Sequence, residues 1–315
     1  MAEIQRILCA LDAQHGAEGV LACACAIARS FGARVDAVHV RQRAEANAVQ
    51  PFAAQGPVLQ GWLAAHAVEG RLNALVAALD PDLPVPLRII SGRPEAAILD
   101  QSSVHGSDLI VLGSRRPLSL SRAAGGLADE VASRATCPVL TVPTGTTVGS
   151  LSRILLPVDF SQATERAVEW ALTLARRFGS SVHVVHAVGG GSPPVRSISK
   201  RDPGNEFTLG HALVYRTEQR FRSVGVSATS SLVESAALHA IVRFRESETS
   251  DLVVMGMHDH EPRRWSAAGT VASVRDRVSV PVLSVMTPES EMPLLRGRFS
   301  ESDGTRARRA ASSAA

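Results

Sequence analysis

Two stretches, RILCAL (6–11) and RILLPV (153–158), are short apolar runs closed by an aspartate, as strands buried on both faces of a sheet tend to be. Each is followed by an apolar stripe at helical spacing. In the first stretch the stripe is Val20, Ala24, Ile27, Ala28 and Phe31; in the second it is Ala167, Ala171, Leu174, Ala175 and Phe178. Gly32 and Gly179 then stand where a left-handed helix cap is wanted. The alternation continues with second strands at 34–40 and 181–187, and middle helices at 58–79 and 206–223. Third strands fall at 85–90 and 226–232, with helices starting at Glu95 and Leu238. Fourth strands at 108–113 and 251–256 lead through polar loops to helices near 124–135 and 267–278. Fifth strands at 138–142 and 281–286 complete each set.

The chain therefore says the same thing twice. Residues 6–40 laid on 153–187 share 13 of 35 positions, among them Asp12, Glu18, Gly32 and His39. Residues 108–142 laid on 251–285 match again, at Asp108, Leu109, Val111, Gly113, Gly126, Val131, Arg134 and the run Pro138-Val139-Leu140. Units of this length are domains, not solenoid repeats. The expected bounds are 1–143 and 151–287, with a tail at 288–315 that lacks periodicity and is expected to be disordered. The linker 143–150 is too short to let the halves roam, so they are expected to pack together.

Five strands alternating with four helices imply an α/β fold: two doubly wound parallel five-stranded sheets, strand order 3-2-1-4-5. The order reverses between strands 1 and 4, and ligands of such sheets bind at the carboxyl ends flanking that reversal. Asp12 and Gly113 lie there in the first half, Asp159 and Gly256 in the second.

Composition narrows the picture. With 45% hydrophobic and 20% charged residues the chain of 315 is an ordinary globular protein, and 4% aromatics leave Ala, Val, Leu and Ile to build the core. A net charge of +3, from 33 basic and 30 acidic residues, argues against a nucleic-acid partner. The apolar stretch 19–28 is far short of the roughly 20 residues a bilayer span needs, and charges at Glu3 and Arg6 interrupt any leader-like run. A cytoplasmic protein with no membrane partner is expected. Cys9, Cys23, Cys25 and Cys137 sit in apolar segments as buried thiols, and the spacing of Cys23 and Cys25 points them in different directions.

The runs RILCALD and RILLPVDFS, SDLIVLGS and SDLVVMGM, CPVLTV and VPVLSV resemble the universal stress protein family in tandem form. That resemblance implies an adenine nucleotide alpha hydrolase-like fold with the halves paired as a pseudo-dimer through their fifth strands. It also implies an adenosine contact from the aspartate after strand 1. A loop after strand 4, G-x2-G-x9-G-[ST], would hold phosphates and ribose. Glycines let backbone N–H groups approach phosphate oxygens, and the next helix presents its positive end. The implied ligand is ATP or AMP with Mg²⁺.

Both loops depart from that pattern. The first reads Gly113-x2-Arg116-x9-Gly126-Leu127, with arginine for the second glycine and leucine for the hydroxyl. The second reads Gly256-x2-Asp259-x9-Gly269-Thr270, with the hydroxyl kept but an aspartate at the second position. A carboxylate about 4 Å from a phosphate, at an effective dielectric of about 20, costs on the order of 4 kcal/mol. That is roughly a thousandfold in affinity.

The expectation is a non-enzymatic stress-response protein acting through ligand or partner binding, with ATP binding weakened or absent. The alternative is an adenine-nucleotide sensor with a working site in the second half. The candidate site residues are Asp12, Gly113, Arg116, Gly126, Asp159, Gly256, Gly269 and Thr270. Asp12 and Asp159 equally suit turns and helix starts, and Ser161 suits a helix cap. His39 and His186 read as structural residues. His258-x-His260 reads as a polar loop, so no metal site is expected. The regulatory protein partner is unspecified, and further homodimerisation stays open.

Overall fold

The computed structural model describes residues 3–13, 15–41, 57–79, 82–114, 126–146, 151–188, 203–257 and 267–286. In the first half the elements are β1 (Arg6–Ala10), α1 (Ala17–Phe31), β2 (Arg34–Arg41), α2 (Pro57–Leu79), β3 (Leu87–Ser91), α3 (Pro94–His105), β4 (Leu109–Ser114), α4 (Leu127–Arg134) and β5 (Val139–Pro143). The second half repeats them as β6 (Arg153–Pro157), α5 (Gln162–Phe178), β7 (Ser181–Val188), α6 (Pro203–Arg222), β8 (Ala228–Glu234), α7 (Ala237–Ser247), β9 (Leu252–Met257), α8 (Ala267–Arg277) and β10 (Val282–Met286). Gly32 and Gly179 adopt φ of 69° and 68° as C-caps of α1 and α5, as the sequence predicts.

Within each half the strands run parallel in the order 3-2-1-4-5. The halves join through an antiparallel β5–β10 pairing, giving one ten-stranded sheet ordered β3-β2-β1-β4-β5-β10-β9-β6-β7-β8. Pairing the fifth strands removes two sheet edges at once. The register sets Leu140 opposite Leu283, with Thr141 opposite Val282 and Val139 opposite Ser284. Since Leu140 and Leu283 are themselves matching residues, the axis relating the halves passes through this pair.

Alternating side chains build one apolar cluster on each face of the sheet, and each cluster crosses the junction. Cys9, Val111 and Leu140 of the first half share one face with Leu156, Val254 and Leu283 of the second; helices α1, α2, α5 and α6 cover it. Leu8, Ile110 and Val139 share the other with Leu155, Val253 and Val282, under α3, α4, α7 and α8. All four cysteines are free and buried. Cys23 and Cys25, two positions apart on α1, are both buried in the same cluster, because α1 buries residues on more than half of its circumference. Burial pushes the Cys23 thiol up to about 12 and Cys9 well above its ordinary value, so both are inert at neutral pH.

The duplicated Asp108 and Asp251 have a structural use that sequence reasoning missed. Asp108 Oδ2 accepts from the backbone N–H groups of Gln5 and Arg6 (2.8 and 2.9 Å). Asp251 Oδ2 accepts from Ser152 and Arg153 (both 2.9 Å). Each carboxylate closes the amino end of the first strand of its half, remote from the crevice. Arg116, His258, Asp259, His260 and the tail 288–315, with the roles expected of them, lie outside the described residues.

Candidate functional site

The crevice at the carboxyl ends of the central strands exists twice, with different construction. In the first half the β1–β4 ladder runs four pairs, to Ala10 opposite Leu112, with Gly113 one residue and Asp12 two residues beyond its end. In the second half the β6–β9 ladder stops after two pairs, at Leu155 opposite Val253. The cause is Pro157, the counterpart of Ala10. Amide directions alternate along a strand, and Val158 N donates to Val185 O on the β7 side (2.9 Å). The amide position of residue 157 therefore faces β9, and proline has no hydrogen to give. The hydrogen-bonded ladder of the second half therefore ends two pairs sooner, although β6 and β9 both run on beyond it.

The turns after these strands differ as well. Asp12 lies 3.5 Å from His15 Nδ1, and α1 begins behind Gly16 at φ 68° without a side-chain cap. Asp159 belongs to a closed network. Its Oδ1 accepts from Ser161 N–H (3.0 Å), Ser161 Oγ (2.5 Å) and Thr164 Oγ1 (2.5 Å). Ser161 Oγ in turn accepts from Thr164 N–H (3.2 Å), the helix cap expected of it. Phe160 between them is left-handed at φ 59°, a conformation costing a bulky residue on the order of 1–2 kcal/mol, and tilts onto the His186 ring at 4.6 Å. His186 Nδ1 meets Val158 O at 2.7 Å and His39 Nδ1 meets Leu11 O at 2.8 Å, so both histidines pin the end of the first strand.

The two strand-end glycines also part company. A Cβ on Gly256 would collide with the Ala163 carbonyl carbon and oxygen and stand 2.8 Å from Thr164 N, so α5 is seated directly on the β9 backbone. A Cβ on Gly113 would meet the Val20 side chain at 3.4 Å and Val142 O at 4.0 Å, which is ordinary contact. Gly126 immediately precedes α4, and its N–H is taken by Asp129 Oδ2 at 3.3 Å, placing a carboxylate at the very helix end where an anion would sit. In the second half Gly269 and Thr270 lie in the first turn of α8, and Ala272 replaces that carboxylate. Above the first crevice, Thr144 N and Oγ1 donate to Ser114 O (3.2 and 3.3 Å), and the Thr146 carbonyl lies 2.7 Å from where a Gly19 Cβ would be. The start of the linker is thus fastened over β4 and α1. Among the described residues no group of three or more His, Cys, Asp or Glu gathers to hold a metal ion, and no helix is long and apolar enough to cross a membrane.

The sequence profile of the Universal stress protein family matches residues 3–143 and again residues 151–285. The chain belongs to the universal stress protein family. A universal stress protein of Methanocaldococcus jannaschii is 25% identical over 149 residues, covering 44% of this chain and 84% of its own. A universal stress protein structure from Archaeoglobus fulgidus superposes at a TM-score of 0.65 with 16% identity, over 92% of this chain and 100% of its own. One from Pseudomonas aeruginosa, described as a putative universal stress protein, gives 0.57 at 16% identity, over 90% and 93%. These two share the fold with this tandem chain. The family also includes a universal stress protein solved in complex with cAMP, 19% identical, covering 45% of this chain and 99% of its own, with a TM-score of 0.32.

Proposed function

We propose that this universal stress protein is a non-catalytic binding protein whose crevices take adenine nucleotides weakly or not at all, and that it acts in the stress response through partners. The supporting observation is self-occupation. Asp159 Oδ1 already accepts three hydrogen bonds from its own turn, and Asp129 already holds the Gly126 N–H. A ligand group that takes Asp159 Oδ1 or the Gly126 N–H displaces these bonds first, and bonds exchanged one for one return little affinity. The Mg²⁺ that would accompany ATP has no gathered carboxylates to meet it among the described residues, so nothing in this reading passes through it.

Isothermal titration with ATP and AMP, with and without Mg²⁺, tests the reading. The expected result is no saturation below about millimolar ligand, an affinity near ~4 kcal/mol. Micromolar binding that Asp159→Ala or Gly269→Val abolishes would overturn it. Phosphate release above buffer would overturn the non-catalytic part.

One observation favours a sensor with a working site in the second half. Ala272 stands in α8 where the first half carries the Asp129 carboxylate. This reading expects nucleotide to travel with the purified protein. Chromatography of the heat-denatured protein showing none would count against it.

A further inference from the structure

The junction between the halves is apolar along its axis and polar off it, and the polar contacts are lopsided. On the α4/α8 face, Arg275 Nη2 donates to Asp129 Oδ1 at 2.9 Å. Arg275 is only 4% exposed, and its Nε and Nη1 have no hydrogen-bond partner among the described residues. The residue matching Arg275 in the first half is Ala132, and the one matching Asp129 in the second is Ala272. One of two equivalent positions across the axis therefore carries an ion pair and the other a pair of alanines.

The opposite face repeats the lopsidedness. Phe31 and Phe178, matching residues, meet edge to face at 6.2 Å. Beside them Arg177 Nε donates to the Ser30 carbonyl and the guanidinium lies 5.5 Å over the Phe31 ring. Ser30 is the residue that matches Arg177. A small apolar pocket on the axis is lined by matching pairs, Leu109 with Leu252 and Leu140 with Leu283 among them, plus Trp170, whose counterpart is Cys23.

We propose that these contacts choose the partner of each fifth-strand face: the other half of the chain, and not a second copy of the same half. Pairing two second halves sets Arg275 against Ala272 on both sides, leaving two buried guanidinium groups without Asp129. It also brings Arg177 against Arg177 and Trp170 against Trp170. Pairing two first halves sets Asp129 against Ala132 twice, faces Ser30 with Ser30, and replaces the pocket's tryptophan with Cys23. Asp276 travels with Arg275 in every arrangement, so it does not discriminate. Removing one partner from a buried ion pair is strongly unfavourable even where the pair itself adds little net stability, and this difference makes it a device for choice. The chain consequently closes on itself, and its ten-stranded sheet needs no second copy.

Charge reversal on the full chain tests this. Asp129→Arg and Arg275→Asp each place like charges at the junction, and each is expected to lower the folding constant by about a hundredfold. The double variant restores the pair reversed and is expected to recover at least about tenfold of that loss. Co-expression of the two single variants is the sharper experiment. The Asp129 half of one chain matches the Arg275 half of the other, and the same holds for the two altered halves. Native mass spectrometry should then find a one-to-one heterodimer that two tagged unaltered chains do not form. Losses that multiply in the double variant, or co-expressed variants that never associate, would overturn the proposal. If a reversal proves insoluble alone, Asp129→Asn and Arg275→Gln supply the same cycle.

Discussion

The two crevices start from matched strands and end differently because of three substitutions at matched positions. Ala10 becomes Pro157, Gly16 becomes Ala163 behind a Ser161 cap, and Asp129 becomes Ala272. In the first half the ladder is longer, the helix start is uncapped, and a carboxylate fills the anion position. In the second half the ladder is shorter, the start of α5 is tied to Asp159, and Ala272 takes the place of that carboxylate in α8. The matched halves thus build the ends of their central strands and the first turns of the helices beside them differently.

The largest contrast should come from one substitution made twice. Gly256→Ala drives a Cβ into the Ala163 backbone and should cost about 3 kcal/mol by urea denaturation. Gly113→Ala, with only the Val20 side chain to displace, should cost less than about 1 kcal/mol. Equal losses would mean that α5 is not seated as described.

Exchanging the residues that end the ladders comes next. Ala10→Pro removes an amide facing β4 and should cost about 2 kcal/mol in the same denaturation experiment. Pro157→Ala should make residue 157 a slowly exchanging amide in hydrogen-exchange experiments; rapid exchange there would show that the shorter β6–β9 ladder has another cause. Smaller again, Ser161→Ala removes the cap of α5 and should cost about 1 kcal/mol. The first half offers no matching loss, since α1 starts behind Gly16 with no side-chain cap to remove. An unchanged urea midpoint for Ser161→Ala would mean that the Asp159 network does not hold the helix start.

The smallest effect is one of pH. His183 on β7 stacks on Phe244 at 5.0 Å, meets Thr229 Oγ1 at 2.8 Å through Nδ1, and buries an unpartnered Nε2. Burial lowers its pKa, against the opposing pull of Glu248 and Glu218. A depressed native value means that the contribution is intact above the unfolded value, about 6.5, and is lost as pH falls from there through the native value. The matching residue in the first half is Asp36, 3.9 Å from Arg88. Stability should therefore decline on acidification below about 6.5, and His183→Phe should flatten that decline. An unchanged slope would assign it to another group.

Much of the fold was legible because apolar periodicity is a local property and the chain states it twice. The strand order and the fifth-strand junction follow from sheet rules and from an edge that must be covered. The site was only half legible. Asp12, Gly113, Asp159 and Gly256 do reach the carboxyl ends of adjacent strands, as their positions after β1, β4, β6 and β9 imply. What Gly256 does there was not readable, since the backbone it admits belongs to a helix far back along the chain. The Asp129–Arg275 pair was hidden for the same reason. Pro157 was visible as a mismatch within otherwise matched strands, and its missing amide was the one available signal.

Because β5 and β10 run antiparallel, the strands of the two halves point in opposite directions. Their carboxyl ends open on opposite rims of the molecule. The two crevices therefore face away from one another, and a surface that covers one rim leaves the other uncovered.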